Sequence, residues 1–597
     1  MSRLPQIIAA QLALVLAIAG LAAGLAWAIP ALLGAFFLVV LAGGRLRRRW
    51  TYEWLAHGWR YLARQRTLPP GADAARLLGF VRPAATVTTV EIDGASAGIV
   101  VDPLGLTALV EVGDPSALLG DASLTVPELP ALLPVHGEPQ PSMRVQLLIS
   151  GVAAPSAQAG CGASGTSYRQ LTEGRILAQQ RVIIAVHARR VGGFDDDDLR
   201  TALIGSLRRV RRRLDRDHLP SRLLAAESVL RVIAETALHD PAQPVRETWT
   251  GLEIGGRRQV TFRLSDWPRR DAELAKTLLP RLIVLPSAAT TVSLAVDGDV
   301  RAELAVRLTA ADPAALANAV AALRRLLDTT DGNLERLDGA HLAGLGATLP
   351  LGGVASAPDA ALSGLVAGHD ALAVNGARPA AVDRDTLTAI RPAVGGEGLV
   401  LGLNRDGAPV VVRLFRPEPT RAALIGGLPC AETLVLRAVA TGAEVTVLSG
   451  RPYRWEPFRR GLSSAEQFAL ITPGRIVDPP PATPGRPQLL VVDVGPVGTT
   501  GIPVVEAPWR ATLLVREELT AGDLDVLARA DLALLQPLAE HEANLAAQAF
   551  GLGDSASWLT RIKGDMLGVV ISRKTVRWAQ LSSTPIERQL IGAATRR

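Results

Sequence analysis

One stretch constrains this chain more than any other. From Ile7 to Gly44 no side chain carries a charge, and Gln11 is the only strongly polar one. A run this apolar and this long suits a bilayer. A single straight helix over it would be about 57 Å long, nearly twice the ~30 Å hydrocarbon core. Cut in two, it yields two helices of about nineteen residues, each just able to span. Gly24 loosens the helix, Trp27 suits a membrane interface, and Pro30 fits the first turn of a second helix. The expectation is a two-helix transmembrane hairpin over residues 1–45 with a very short outer turn. A cleaved signal peptide is the rival reading, since Ala26-Trp27-Ala28 resembles a small-residue cleavage pattern. Its apolar region would be too long, and the second half would remain as an anchor.

Charge sets the orientation. Arg45, Arg47, Arg48 and Arg49 follow the second apolar half at once, so the positive-inside rule puts that end, and everything after it, in the cytosol. The expected location is the cell membrane, with two spans and a cytoplasmic soluble part. Gly20 and Gly24 form a small-x3-small pattern that permits close helix approach in lipid, and a helix of a neighbouring subunit is the expected partner for it. Residues 46–72 form a basic, aromatic juxtamembrane segment. Its Trp50, Trp54 and Tyr61 fall near one helical face, so it reads either as an interfacial helix against lipid or as a continuation of the second helix.

The net charge of +6 sits largely in that segment and one later helix, which favours anionic lipid over nucleic acid. No nucleic-acid module with interleaved basic and exposed aromatic residues is present. Two cysteines, Cys161 and Cys430, give no disulfide framework and fit a reducing compartment.

The soluble part divides into α+β regions over 73–245 and 246–396 and an α/β domain over 397–597. In the first, Thr86–Ile92, Gly98–Val101, Leu106–Val112, Arg144–Ile149 and Arg181–His187 read as strands, and 153–167 as a mobile loop. Asp195 to Asp198 precede an amphipathic helix, so they read as a cap rather than a metal site. That helix carries Arg208, Arg209, Arg211, Arg212, Arg213 and Arg216, either a solvated face or a docking surface for lipid or an acidic partner. In the second region, Glu247–Ile254 and Gln259–Leu264 read as strands flanking the Gly255-Gly256 turn. Thr290–Val296 and Arg301–Leu308 repeat that arrangement, and Asp312-Pro313 opens a helix running to Leu327.

From about residue 397 buried strands alternate with helices, as in a largely parallel sheet. A phosphate-binding loop needs Gly-x4-Gly-Lys-Ser/Thr between strand and helix. Counted from Gly426, this chain places Ala431, Glu432 and Thr433 at the last three positions, and an anionic Glu432 in place of the lysine would repel phosphate. Asp493, after an apolar strand, resembles the acid completing such a site, but reads as a strand-end turn residue. A degenerate, non-binding nucleotide fold or an unrelated α/β layer is expected. The eight scattered histidines show no ligand spacing, and no nucleophile elbow occurs. No catalytic, cofactor-binding or metal-ligating residue is expected.

Several features in order resemble EccE, a membrane component of the actinobacterial type VII (ESX) secretion system. They are the apolar hairpin with its Arg/Trp exit, Pro103-Leu104-Gly105-Leu106, the Arg-rich helix and Trp249-Thr250-Gly251-Leu252. The pair Leu337-Asp338-Gly339 and Leu349-Pro350-Leu351-Gly352 and the C-terminal α/β pattern follow. The resemblance implies a non-catalytic inner-membrane subunit that assembles with EccB, EccC and EccD, with EccC supplying ATP hydrolysis. The alternatives are a membrane-tethered enzyme, nucleotide-dependent or glycosyltransferase-like, and a regulatory membrane scaffold outside secretion.

Overall fold

The computed structural model describes residues 4–596 apart from 44, 47–48, 121–123, 135–139, 157–158, 160–161, 192, 268–271, 299–300, 329–331, 354–379, 383, 463–464, 475–479, 496–505, 553–557 and 572–574. Arg47, Arg48 and Cys161 therefore lie outside the described residues.

The first apolar stretch forms two helices, α1 (Leu4–Ala22) and α2 (Leu25–Gly43), packed against each other. Their contact is made of small residues. Ala13, Gly20, Ala28 and Ala35 are buried, while Leu14, Val15, Ile18, Leu21, Ile29, Leu33, Phe36 and Phe37 point outward. The turn is short because Gly24 takes φ +102°, a left-handed conformation open to glycine. Pro30 lies inside α2 rather than in its first turn, because the helix already starts at Leu25. Among the described residues no helix is long and apolar enough to cross a membrane, so the transmembrane assignment has no support there.

Of the two readings of the juxtamembrane segment, a separate helix and a continuation of α2, the structure has the separate helix. After a short antiparallel pairing of Arg45–Leu46 with Arg49–Trp50, a separate helix α3 (Thr51–Ala63) begins.

The two α+β regions share one sheet. The first supplies β1 (Thr86–Ile92), β2 (Ala95–Asp102), β3 (Gly105–Val112), helix α4 (Leu129–Leu132), β4 (Met143–Ala153), β5 (Leu177–Arg189), helix α5 (Asp196–Arg216), β6 (Ser221–Leu223) and helix α6 (Ala226–Ala237). The second supplies β7 (Val245–Thr248), β8 (Gly251–Ile254), β9 (Arg257–Asp266), helix α7 (Ala272–Ile283), β10 (Ala289–Asp297), β11 (Arg301–Ala310), helix α8 (Pro313–Asp328), β12 (Asn333–Arg336) and helix α9 (His341–Ala347). The main order is β7-β8-β9-β11-β10-β4-β5-β3-β2-β1, with Thr67–Leu68 added beside β7 and every pairing antiparallel. The short β6 pairs with β3 and β12 with β9.

Each half thus repeats the other's main elements and pairings, the helix Ala163–Thr172 between β4 and β5 being an addition in the first half. The equivalent strands β4 and β10 meet antiparallel at the centre, Leu147 opposite Leu294, so a local two-fold relates the halves. Asp195 caps α5 through the N–H groups of Asp197 and Asp198, and Asp312 caps α8 through those of Ala314 and Ala315. One face of the sheet is covered by α5, α7 and α8, whose leucines join a single core cluster. The other is covered by α6, α9 and the helix Ala74–Val81.

Two sequence readings are corrected here. The run 247–254 is not one strand, because Trp249 and Thr250 make a tight turn between β7 and β8, closed by the Thr248 hydroxyl donating to Gly251 O. The supposed loop over 153–167 contains the start of a helix, Ala163–Thr172, whose Tyr168 is buried and donates to Gly398 O.

The second sheet comprises β13 (Leu399–Leu403), β14 (Pro409–Val412), β15 (Thr420–Ile425), β16 (Glu444–Ser449), β17 (Phe468–Ile471), β18 (Gln488–Asp493), β19 (Arg510–Arg516), β20 (Leu532–Leu535), β21 (Met566–Ile571) and β22 (Thr575–Gln580). Its order is β14-β13-β22-β21-β20-β15-β19-β18-β16-β17. The six strands from β20 to β17 are parallel, as the alternating pattern requires, and the other four are antiparallel. Helix α10 (Leu428–Ala440) packs into this core and is held by buried Arg437, whose guanidinium pairs with Glu587 at 2.8 Å.

Candidate functional site

Open α/β sheets take ligands outside the carboxyl ends of their strands, where successive connections leave in opposite directions. In the second sheet that point is β15. The chain leaves it through α10 to β16 on one side, and returns past it from β19 to β20 on the other. Gly426 and Gly427, between β15 and α10, stand where a phosphate loop would lie.

The crevice is filled by the protein itself. Gln536, fully buried just after β20, accepts the Gly427 N–H at 2.8 Å and donates to Ala594 O at 2.6 Å. A side chain at 426 would have its Cβ 2.5 Å from Gln536 Oε1, so glycine is needed for this close approach. Thr595 O and the Arg596 Cα lie 3.3 and 3.6 Å from where a Cβ on Gly427 would stand. Arg596 clamps the segment down. Its guanidinium donates to Pro537 O and Glu542 Oε2, at 2.8 and 2.9 Å, and to Glu517 O. The Gly426 and Gly427 N–H groups, which donate to Arg516 O and Gln536 Oε1, are thus already in use.

The side chains are equally unsuited. Glu432, at the lysine position, is nearly buried, and burial pushes its carboxyl up to about 7 while the Arg454 guanidinium pulls against that shift. Thr433 donates its hydroxyl to Pro429 O at 2.8 Å, one turn back in its own helix, rather than offering it to a metal. Burial raises the Cys430 thiol to about 12, which makes it inert. Asp493 ends β18 but is no turn residue. Its buried carboxylate accepts from Ser449 Oγ, from Arg451 Nε and Nη2, and from Trp455 Nε1, at 2.8–3.0 Å. Arg451 also pairs with Glu517 at 2.6 Å. An acid with these donors has no coordination left for a cation. Sequence reasoning found Glu432 and Asp493 but missed Gln536, Arg596 and Arg451. Nothing in the local pattern marks them, because their partners are tens of residues away.

A second constellation joins the juxtamembrane helix to the first sheet. Trp54, His57 and Tyr61, one face of α3, surround Trp249 with ring centroids 6.4, 5.4 and 5.2 Å away. The His57 Nε2 lies 2.7 Å from Asp338 O. Arg64 Nη2 donates to both oxygens of Glu247, at 2.6 and 2.7 Å, and to Gly339 O at 2.8 Å. Gly339 has φ +69°, and a Cβ there would lie 2.6 Å from the Trp249 ring and 2.8 Å from His57. Two of the stretches singled out in the sequence, 249–252 and 337–339, are therefore a socket for α3. Leu349 to Gly353 thread over buried Gln146, which donates to Leu349 O and accepts from Gly352 N–H, at 2.9 Å each.

Of the residues expected to face lipid or a neighbour, Trp54 packs against Trp249. Gly20 faces α2 of its own chain, since a Cβ there would fall 2.1 Å from Ala31 Cβ. Gly24 lies in the turn with open space around it, so Gly20 and Gly24 do not form one helical stripe. Trp27 is exposed on α2. Arg45 and Trp50 pair across the short bridge.

Comparison with known proteins follows from this geometry. The family model "EccE: Putative type VII ESX secretion system translocon" matches residues 177–264, a span from β5 through β9 that includes the Arg-rich helix and Trp249. The EccE resemblance read from the sequence is thereby supported over that segment, which is similar to the family model of a type VII ESX secretion system translocon. No curated protein matches. Among solved structures, the genome packaging NTPase B204 from Sulfolobus turreted icosahedral virus 2 in complex with ATP-gammaS matches at 8% identity. It covers 28% of this chain and 98% of its own, with a TM-score of 0.19, and a score that low carries no argument.

Proposed function

We propose that this chain is a non-catalytic, membrane-anchored component of a type VII secretion complex, assembling with subunits resembling EccB, EccC and EccD. The observation that carries the non-catalytic part is the closed crevice. Gln536 and Ala594–Arg596 occupy the phosphate position, Glu432 replaces its lysine, and Asp493 is consumed by Arg451 and Trp455. Membrane anchoring draws support from the uncharged helix pair, whose large apolar side chains face outward around a seam of alanine and glycine. The socket on α3 would transmit the anchor's position rigidly to the first sheet.

The test has two arms. Purification of the full chain from native membranes in mild detergent should bring down the three neighbouring subunits. The isolated chain should show no saturable, magnesium-dependent binding of ATP. Recovery of the chain alone would refute the assembly role, and nucleotide binding at micromolar affinity would refute the non-catalytic one.

A further inference from the structure

The Arg-rich helix divides its arginines by use. Arg208 and Arg211 pair with Asp93, and Arg213 with Asp217. Arg209, Arg212 and Arg216 make no ion pair or hydrogen bond among the described residues. These three, with Gly205, fall at i, i+4, i+7 and i+11 and form one stripe along α5. They line a groove of about 440 Å³, with Arg208, Arg213 and Gly205 on the same helix and Ala131 of α4 opposite. The two small residues leave it concave.

The repeat provides an internal control on what the fold itself needs there. Aligning the caps Asp195 and Asp312 puts the core residues Leu199, Leu203, Ser206 and Val210 opposite Leu316, Val320, Leu323 and Leu327 of α8. Arg209 then corresponds to Leu326, which packs against the core, and Gly205 to Ala322. The fold is satisfied without arginine at the position of Arg209. Like charges three and four residues apart repel on a helix, so Arg209 and Arg212 gain α5 nothing, although Arg216 in the last turn complements the helix dipole.

We infer that this groove is a docking site for an acidic protein segment, its carboxylates spaced about one helical turn apart to meet Arg209, Arg212 and Arg216. Charge complementarity selects an anion, and concavity suits a chain of carboxylates better than a planar bilayer. Position argues the same way. The socket for α3 is at β7, whereas α5 lies over β5 and β3, six strand spacings or about 29 Å across the sheet from β7. The core faces they serve are also opposite. The stripe is therefore remote from the anchor's entry point. This inference does not depend on the secretion role.

The probe is a fluorescent helical peptide with glutamates at i, i+3 and i+7, titrated by anisotropy into the full-length protein in detergent. Binding should be salt-sensitive, and R209Q/R212Q/R216Q should weaken it at least tenfold. The charge-matched control R324Q/R325Q/R405Q, all exposed, should change it less than twofold. Equal losses in both variants would show unspecific attraction and overturn the site. Absence of peptide binding would also overturn it. If the chain, reconstituted in neutral vesicles, instead captures phosphatidylglycerol vesicles through the stripe, the groove is a lipid site and not a protein one.

Discussion

The sharpest test of the closed crevice is the titration of Glu432. Its carboxyl is raised from an ordinary 4.5 to about 7 by burial, with Arg454 opposing. Between those values the unfolded chain has lost its proton while the folded one keeps it, so stability falls as pH rises from about 4.5 to 7 and is flat above. That difference corresponds to about 3 kcal/mol of destabilisation at pH 8, or roughly 300-fold in the local unfolding equilibrium. Glu432→Gln mimics the protonated acid and removes that penalty. Its advantage over the wild type should be near zero at pH 4 and about 3 kcal/mol at pH 8. Urea unfolding followed by hydrogen exchange in peptides of α10 reads this locally, which avoids assuming one transition for a multidomain chain. An advantage of the same size at both pH values would show that packing, and not ionisation, distinguishes the side chains.

Three further outcomes follow from the contacts. Arg64→Ala strands the buried Glu247 carboxylate with, among the described residues, only the Leu342 N–H as partner, and should cost about 3 kcal/mol in α3 docking, seen as roughly hundredfold faster amide exchange in 51–63. Gly339→Leu forces a Cβ into Trp249 and His57, and should release the same helix while leaving exchange in β15 to β20 unchanged. Gly20→Leu pushes α1 off Ala31. A cysteine pair placed across the α1–α2 seam should then cross-link poorly, whereas Gly24→Ala, in open space, should show only the modest cost of a residue at positive φ.

What the sequence determined by itself was most of the local structure, although the turn at Trp249-Thr250 and the helix Ala163–Thr172 escaped it. Uninterrupted apolarity and Gly24 indicated two helices with a short turn, since good helix formers fill both halves and glycine alone takes the positive φ between them readily. Two-residue alternation and Gly255-Gly256 placed most strands of the first sheet, and Asp195 and Asp312 placed its two long helices by their caps. Glu432 revealed the failed phosphate loop, because one wrong charge at a fixed offset is visible without coordinates. Tertiary structure decided whatever depends on partners far along the chain. The two halves have no shared motif long enough to betray their repeat, because only burial pattern and pairing are kept; β4 meeting β10 shows it. Trp54 and Tyr61 read as lipid-facing until Trp249 is placed between them. An amphipathic aromatic face satisfies a membrane surface and a protein socket equally well. Gln536 and Arg596 close the crevice although no sequence rule links them to Gly427, since a buried hydrogen bond leaves no trace in spacing when its ends lie more than a hundred residues apart.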